Sequence, residues 1–164
     1  MRYRIGHGVD THKLIKNETF ILGGILFKSE LGIAGHSDGD ALLHALTDSI
    51  LGALALGDIG TYFPSDNPSF KNKNSDFFLL DTINKMNSQN FKVNNTDITV
   101  MLQKPTVQPY INDIKKNLSK LLSIDLNQIS IKATTTDHLG YIGRKEGIVV
   151  HAMTLLINEL NDEN

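Results

Sequence analysis

Residues 35–56 read GHSDGDALLHALTDSILGALAL, and both the fold and the chemistry of the chain turn on them. Ala41, Leu42, Ala45, Leu46, Ile50, Ala53 and Leu54 recur at helical spacing, and Ser37 with Asp40 three residues on gives a capping-box-like start. The pattern predicts a helix from about Asp38 to Leu56, with Gly57 able to end it in the left-handed conformation. Asp40, His44 and Asp48 are four apart, so they stack on one helix face as an ionisable stripe. A solvated helix face is the plain explanation of such a stripe.

Upstream, Tyr3 to Asp10 is expected to be a strand, and Phe20–Phe27 two short extended pieces joined at Gly23-Gly24. Downstream, Pro64 to Ser75 is a loop between two helices, the second covering Ser75 to Ser88. Ile98, Val100 and Leu102 alternate and mark a strand ending near the Lys104-Pro105 turn. Pro109 suits the first turn of a third helix, which carries Ile111, Ile114, Leu118, Leu121 and Leu122 inward and stops before Asp125. The strands Gln128–Ala133 and Gly147–Ile157 complete the order. The expected architecture is α+β: one domain over residues 1–164, with a single sheet backed by helices on one face. The other sheet face would be left uncovered, which predicts that copies pack sheet to sheet as a homo-oligomer.

Composition removes several classes of function. Sixteen Lys and Arg nearly balance 18 Asp and Glu, so no global field argues for DNA, RNA or anionic lipid, and any phosphate site must be local. Without cysteine there is no disulfide framework and no thiolate metal site, so a transition metal would have to use the six His and the carboxylates. The N-terminus lacks the apolar stretch of a signal peptide, and Ile50–Leu56 is far short of a membrane span. The expected compartment is the cytoplasm.

Within these bounds, Asp10-Thr11-His12 places a carboxylate and an imidazole on the same side of extended chain. If His44 faces that strand, Asp10, His12 and His44 form three ligands of a zinc-type site with an open fourth position, which suits catalysis. Thr134-Thr135-Thr136 at a strand end, near Gly-rich turns and Arg144, could cradle a phosphate, although a strand edge with a turn has the same pattern. Asp58, just past Gly57, could accept hydrogen bonds from sugar hydroxyls or from its own backbone.

Taken together, RIGHGVDTH, HSDGDALLHALTDSILGALALGDIG, the following FP and KATTTDHLGYIGRKEGI closely resemble the 2-C-methyl-D-erythritol 2,4-cyclodiphosphate synthase family of the non-mevalonate isoprenoid pathway. The resemblance implies a homotrimer of α+β subunits whose sheets line a central core, with active sites between subunits. It also implies a reaction: 4-diphosphocytidyl-2-C-methyl-D-erythritol 2-phosphate cyclises to the 2,4-cyclodiphosphate and releases CMP, with no attack by water. The family's zinc ligands fall on Asp10, His12 and His44, with a substrate phosphate oxygen as the fourth. His36 and Thr135 match positions that stabilise the transition state, and His36-Ser37 would contact the 2-phosphate.

Asp58 matches a residue holding the methylerythritol hydroxyls, in a substrate-binding segment that continues through Ile59, Gly60, Phe63, Pro64, Ser65, Asp66 and Asn67. Asp48 sits where the family has a helix carboxylate near the site. The cytidine pocket falls on Leu102, Gln103, Lys104, Pro105, Thr106, Val107 and Gln108 together with Thr134, Thr135 and Thr136, and Arg144 matches a phosphate-contacting arginine. A second ion, Mg²⁺ or Mn²⁺, bridges the diphosphate in the family and would fall to Asp137, one methylene shorter than the usual Glu. Ser65-Asp66-Asn67 departs from the usual FPDTD loop, and Tyr141 replaces a typical Phe while keeping the ring. A chain that starts at Met1 is expected to be free of fusion to a cytidylyltransferase. A metal-dependent phosphohydrolase built on the same ligands is the alternative enzyme, and a trimeric metal- or nucleotide-binding module is the alternative without turnover.

Overall fold

A computed structural model describes residues 2–35, 38–64, 66–70 and 73–161. The chain folds as β1 (Tyr3–Lys16), β2 (Ile21–Leu22), β3 (Ile25–Leu26), β4 (Leu31–Ile33), α1 (Ala41–Ala53), α2 (Ile59–Tyr62), α3 (Ser75–Ser88), β5 (Phe91–Met101), α4 (Ile111–Leu122), β6 (Ile129–Thr134), α5 (Gly140–Gly143) and β7 (Gly147–Asn158). Five strands form one sheet in the order β4-β1-β7-β5-β6, while β2 and β3 make a separate hairpin. The first and last long strands, β1 and β7, pair antiparallel at the middle, and β5 runs parallel to β6 through the crossover helix α4.

Alternation along β1 separates the two faces of the sheet. Arg4, Asp10, His12 and Leu14 turn toward the helices, while Tyr3, Ile5, His7 and Val9 point the other way and are exposed. Gly6 and Gly8 lie on the helix side, where a Cβ would come within 1.8 Å of the Ser49 carbonyl and 2.0 Å of the Ala45 carbonyl respectively. The two glycines therefore let α1 lie directly against the β1 backbone, a contact that any larger side chain would hold open.

The core lies between this sheet face and the helices. Leu42, Leu46 and Ile50 of α1, Leu79 and Met86 of α3, Ile114 and Leu118 of α4, and Ile98, Val150 and Leu156 of the sheet belong to one cluster. Burying large aliphatic side chains contributes about 1.5–3 kcal/mol each. The opposite face keeps Ile5, Val9 and Met153 in the open. Among the described residues no helix is long and apolar enough to cross a membrane.

Several expected boundaries move. β1 runs on to Lys16, because its inward positions beyond Gly8 carry polar Asp10 and His12 that hide the alternation. Helix α1 starts at Ala41, with Asp40 as its N-cap in place of a start at Asp38. Its end is a Schellman turn on Ala55 (φ 59°), in which Ala55 N–H reaches Gly52 O and Leu56 N–H reaches Leu51 O, so the helix stops before Gly57. The expected Phe20–Phe27 hairpin and the Ser75–Ser88 helix are present as read. β5 begins at Phe91, well before the alternation is visible, and a bulge between Val93 and Asn95 interrupts its pattern. Gln128 belongs to a 3₁₀ turn capped by Asp125, and β6 begins one residue later.

Candidate metal centre and its cleft

β1 delivers Asp10 and His12 on its helix side, and α1 carries His44 on its first turn above them. The glycine contact sets this separation, so the backbone approach that packs the helix also brings the three side chains together. One donor atom from each of Asp10, His12 and His44 lies within 4.8 Å of the others. Asp10 Oδ2 is 2.7 Å from His12 Nδ1 and 3.4 Å from His44 Nδ1. Donors around a tetrahedral ion with bonds of about 2.1 Å are spaced about 3.4 Å apart, so the cluster has the dimensions of such a shell.

Two of these atoms, Asp10 Oδ2 and His12 Nδ1, are buried and have no hydrogen-bond partner among the described residues. They face each other at 2.7 Å, an arrangement that a shared cation would satisfy. Burial alone would raise the Asp10 carboxyl, but the His12 and His44 imidazoles outweigh it and hold the group well below the usual carboxylate range. Burial likewise opposes a charge on His44, yet Asp10, with Asp40 and Asp38 behind it, raises its pKa. A site that stabilises positive charge on imidazole will do the same for a cation. With no thiolate and two imidazoles, the donor set suits Zn²⁺ and its relatives more than Mg²⁺.

Asp40 leaves the predicted stripe. Its side chain is wholly buried, with Oδ1 accepting from Gly23, Leu42 and Leu43 N–H at 2.9, 3.1 and 3.1 Å and Oδ2 from Gly24 N–H at 2.6 Å. It caps α1 and pins the β2–β3 hairpin in one stroke. Asp48, a turn beyond His44, accepts the Ile59 N–H at 2.7 Å and holds the segment after α1, and burial raises its carboxyl.

A cleft of about 1060 Å³ opens from the cluster. His12 and His44 line it together with Ile59, Gly60, Phe63, Asp66 and Asn67 of the sequence-nominated segment. Asp58 caps α2, its Oδ1 accepting from both Thr61 N–H and Thr61 Oγ1 at 2.9 Å, so Thr61 holds its carboxyl below the usual range. Pro64 follows in the same loop. His36, Ser37 and Ser65 lie outside the described residues.

The other nominated residues occupy a second place. Leu102 N–H bonds Thr134 O at 2.9 Å, Gln103 Oε1 accepts from His138 N–H at 3.3 Å, and Lys104 Nζ reaches Thr106 Oγ1 at 3.4 Å. Pro105 follows a cis peptide, Val107 is buried, and Gln108 opens the 3₁₀ turn before α4. Thr135 Oγ1 accepts the Asp137 N–H at 3.4 Å and Thr136 Oγ1 donates to Leu139 O at 2.7 Å, which shapes an exposed turn at Asp137 (φ 52°). Tyr141 is on α5, and the Arg144 fork is closed on Glu146 at 2.9 and 3.0 Å. Asp10 is level with Val150, Val150 with Val100, and Val100 with Ala133. Three strand spacings, about 14 Å, thus part the metal cluster from the Thr134 end of β6. None of residues 102–108 or 134–144 lines the cleft.

The motifs did not point to Glu18, Phe70 or Phe78, which also line the cleft. Phe63, nominated from the sequence, packs on Phe78 at 4.8 Å and meets Phe70 edge-on at 5.3 Å, and the three rings form an aromatic wall. The adjacent Phe77 and Phe78 in the first turn of the expected helix, following loop aromatics near Pro64 and Pro68, are the sequence signal that could have suggested it.

Fold and site together define a class: an α+β protein with helices on one face of its sheet and a carboxylate–imidazole centre fit for a divalent cation at the mouth of a cleft. Residues 3–157 match the YgbB family, and the chain belongs to that family. It is 49% identical over 153 residues to the 2-C-methyl-D-erythritol 2,4-cyclodiphosphate synthase of Brachyspira hyodysenteriae, covering 93% of this chain and 97% of that one. The solved IspF of Plasmodium falciparum in complex with CDP is similar at 39% identity and TM-score 0.85, over 96% of this chain and 97% of that one. The bifunctional IspDF of Campylobacter jejuni matches at 40% identity and TM-score 0.91, over 95% of this chain but only 42% of its own length.

Proposed function

We propose that this chain is a cyclodiphosphate synthase, a phosphorus–oxygen lyase that converts 4-diphosphocytidyl-2-C-methyl-D-erythritol 2-phosphate to the 2,4-cyclodiphosphate and CMP in the non-mevalonate route to isoprenoids. The observation that carries the reading is the convergence of Asp10, His12 and His44 on one cleft, with buried Asp10 Oδ2 and His12 Nδ1 facing each other and without another hydrogen-bond partner among the described residues. Family membership and the CDP-bound neighbour support the nucleotide substrate.

Asp10, His12 and His44 would hold Zn²⁺, which when bound supplies Lewis-acid polarisation of a phosphate oxygen at the cleft mouth. Asp137 offers one exposed carboxylate, the kind of ligand that Mg²⁺ or Mn²⁺ accepts alongside substrate phosphates. His36 and Ser37 bind the 2-phosphate, and His36 and Thr135 donate to charge that builds in the transition state. Asp58 and the segment to Asn67 orient the methylerythritol hydroxyls. Leu102–Gln108 with Thr134–Thr136 hold the cytidine, and Arg144 exchanges Glu146 for a phosphate. An oxygen of the 2-phosphate forms a bond to the β-phosphorus, the bond to the CMP phosphate breaks, and CMP leaves with the electron pair. An ionised phosphate is already a nucleophile, so no residue has to act as general base, and positioning supplies much of the rate.

The assembly belongs to the same reading. In one chain the metal cluster and the cytidine segments stand about 14 Å apart along the sheet. A homotrimer packed through the open sheet face, where Ile5, Val9 and Met153 are exposed, would let a neighbour complete each site. The cytoplasm, where cytidine nucleotides are made, is the matching location.

The test is incubation of the zinc-loaded protein with the diphosphocytidyl substrate in ¹⁸O-water, followed by mass measurement. Unlabelled cyclodiphosphate with CMP is expected. Labelled, ring-open product would make the protein a phosphohydrolase, and tight binding without turnover would make it a binding module.

A further inference from the structure

His44 enters the cluster through Nδ1, and its other nitrogen is engaged from a helix that none of the sequence motifs touched. His44 Nε2 lies 2.9 Å from Ser75 Oγ, at the first residue of α3. Ser75 is fully buried, and its hydroxyl donates in turn to Asp38 Oδ1, while its backbone N–H donates to Asp38 Oδ2 at 3.0 Å. Asn74, the N-cap of α3, makes no side-chain bond to the helix, and Asp38 from the loop before α1 covers the exposed Ser75 N–H instead. That leaves the Ser75 hydroxyl free to connect Asp38 to His44.

The direction of the chain of bonds follows from the groups. An ionised carboxylate only accepts, so Ser75 Oγ spends its proton on Asp38 and can only accept from His44. His44 then donates from Nε2, and in the neutral ring this frees Nδ1, 3.4 Å from Asp10 Oδ2, to ligate a cation shared with Asp10. In the next turn of α3, the Phe78 ring sits 6.3 Å from the His44 ring at 54°, limiting its rotation.

We propose that Ser75, oriented by Asp38, is a positioning residue for the metal centre: it sets the tautomer and the ring angle in which His44 can ligate. The proposal rests on Asp10, His12 and His44 being the cation site. Groups behind a metal-binding imidazole typically change metal affinity about 10–100-fold when removed. Without Ser75, the neutral imidazole gains by turning its proton to Nδ1, toward the Asp10 carboxylate, and so blocks the atom a cation needs.

Two readouts test this, neither of them activity. Zinc alone is titrated against a chelator for the unaltered protein, Ser75→Ala and Asp38→Asn, and ¹⁵N chemical shifts of the His44 ring are read in the zinc-free proteins at alkaline pH. Ser75→Ala is expected to weaken zinc binding about 10–100-fold and to shift the ring from Nε2–H toward Nδ1–H. Asp38→Asn, which puts an amide donor where a carboxylate oxygen accepted, should move both readouts the same way even if the serine variant folds poorly. A His44 tautomer unmoved in both variants overturns the proposal whatever the affinities do, and so does unchanged zinc affinity. An unaltered protein that binds no zinc would bring down the metal site itself, a failure distinct from that of the Ser75 relay.

Discussion

The cap of α1 and the seam between α1 and β1 lie within two turns of each other, and each is built on an aspartate. At the cap, both oxygens of Asp40 are saturated by backbone N–H groups of Gly23, Gly24, Leu42 and Leu43. At the seam, Asp10 faces two imidazoles and keeps a buried oxygen without a hydrogen bond among the described residues. Burial raises the cap carboxyl against the opposition of Gly24, Gly23 and Leu43, whereas at the seam the imidazoles win and depress the carboxyl. A carboxylate saturated by backbone holds the fold together; one set between two imidazoles is placed to share a cation with them. The two should therefore fail differently when altered.

The largest expected effect is on function. His44→Ala should lose most bound zinc and more than about a hundredfold in turnover, since even groups behind a ligand cost 10–100-fold, while its thermal midpoint changes little. Metal analysis beside product formation checks it, and a zinc-replete, active variant would end the distinction between cap and seam. Asp40→Ala should do the reverse. Stranding buried N–H groups should remove about 3 kcal/mol or more and lower the thermal midpoint by about 6–12 °C, while the folded fraction still binds zinc.

Gly8→Ala joins the two regions. Its Cβ would meet the Ala45 carbonyl at 2.0 Å and push α1 from β1. We expect a loss of about 2 kcal/mol in denaturant unfolding together with weaker zinc binding, because His44 moves with the helix. Stability lost at full zinc affinity would show that the helix height does not set the site.

The smallest effect belongs to a third carboxylate. Asp97 on the open face of the sheet pairs with Lys132, whose hydrogen bond lowers the Asp97 carboxyl. A depressed folded pKa means that the pair stabilises above the ordinary carboxylate value of 3.8 and loses this as pH falls through the depressed one. In the dissociated chain, where this face is exposed, the pair contributes less than about 1 kcal/mol, so unfolding of Asp97→Asn there should match the unaltered protein at low pH and fall just short of it near neutrality.

How far these regions could be read in advance depends on the range of the contacts. The α3 bounds, the Gly23-Gly24 hairpin and the face of α4 were legible because apolar spacing and turn glycines are local signals. The start of β5 was not, since Lys92, Asn94 and Asn95 obscure its alternation and a bulge breaks its phase. The role of Asp40 was misread from its spacing to His44, because its partners at Gly23 and Gly24 are 17 and 16 residues away. Asp10 and His12 could be paired from their strand spacing alone, but His44 joined them only on the condition that its helix faced that strand.

The amino-acid sequence by itself determined the element types, the one-sided helical layer and the chemistry on offer: imidazole and carboxylate, no thiol, hydroxyls at a strand end. These follow from side-chain type and short-range periodicity. Only the tertiary structure decided which of those groups meet. Gly6 and Gly8 let α1 close onto β1, and that distance brings His44 to Asp10. Ser75 reaches His44 across 31 residues of chain, and the sheet keeps the Thr134 end apart from both. Spacing along a chain constrains direction within an element, whereas the gap between elements is set by what packs there.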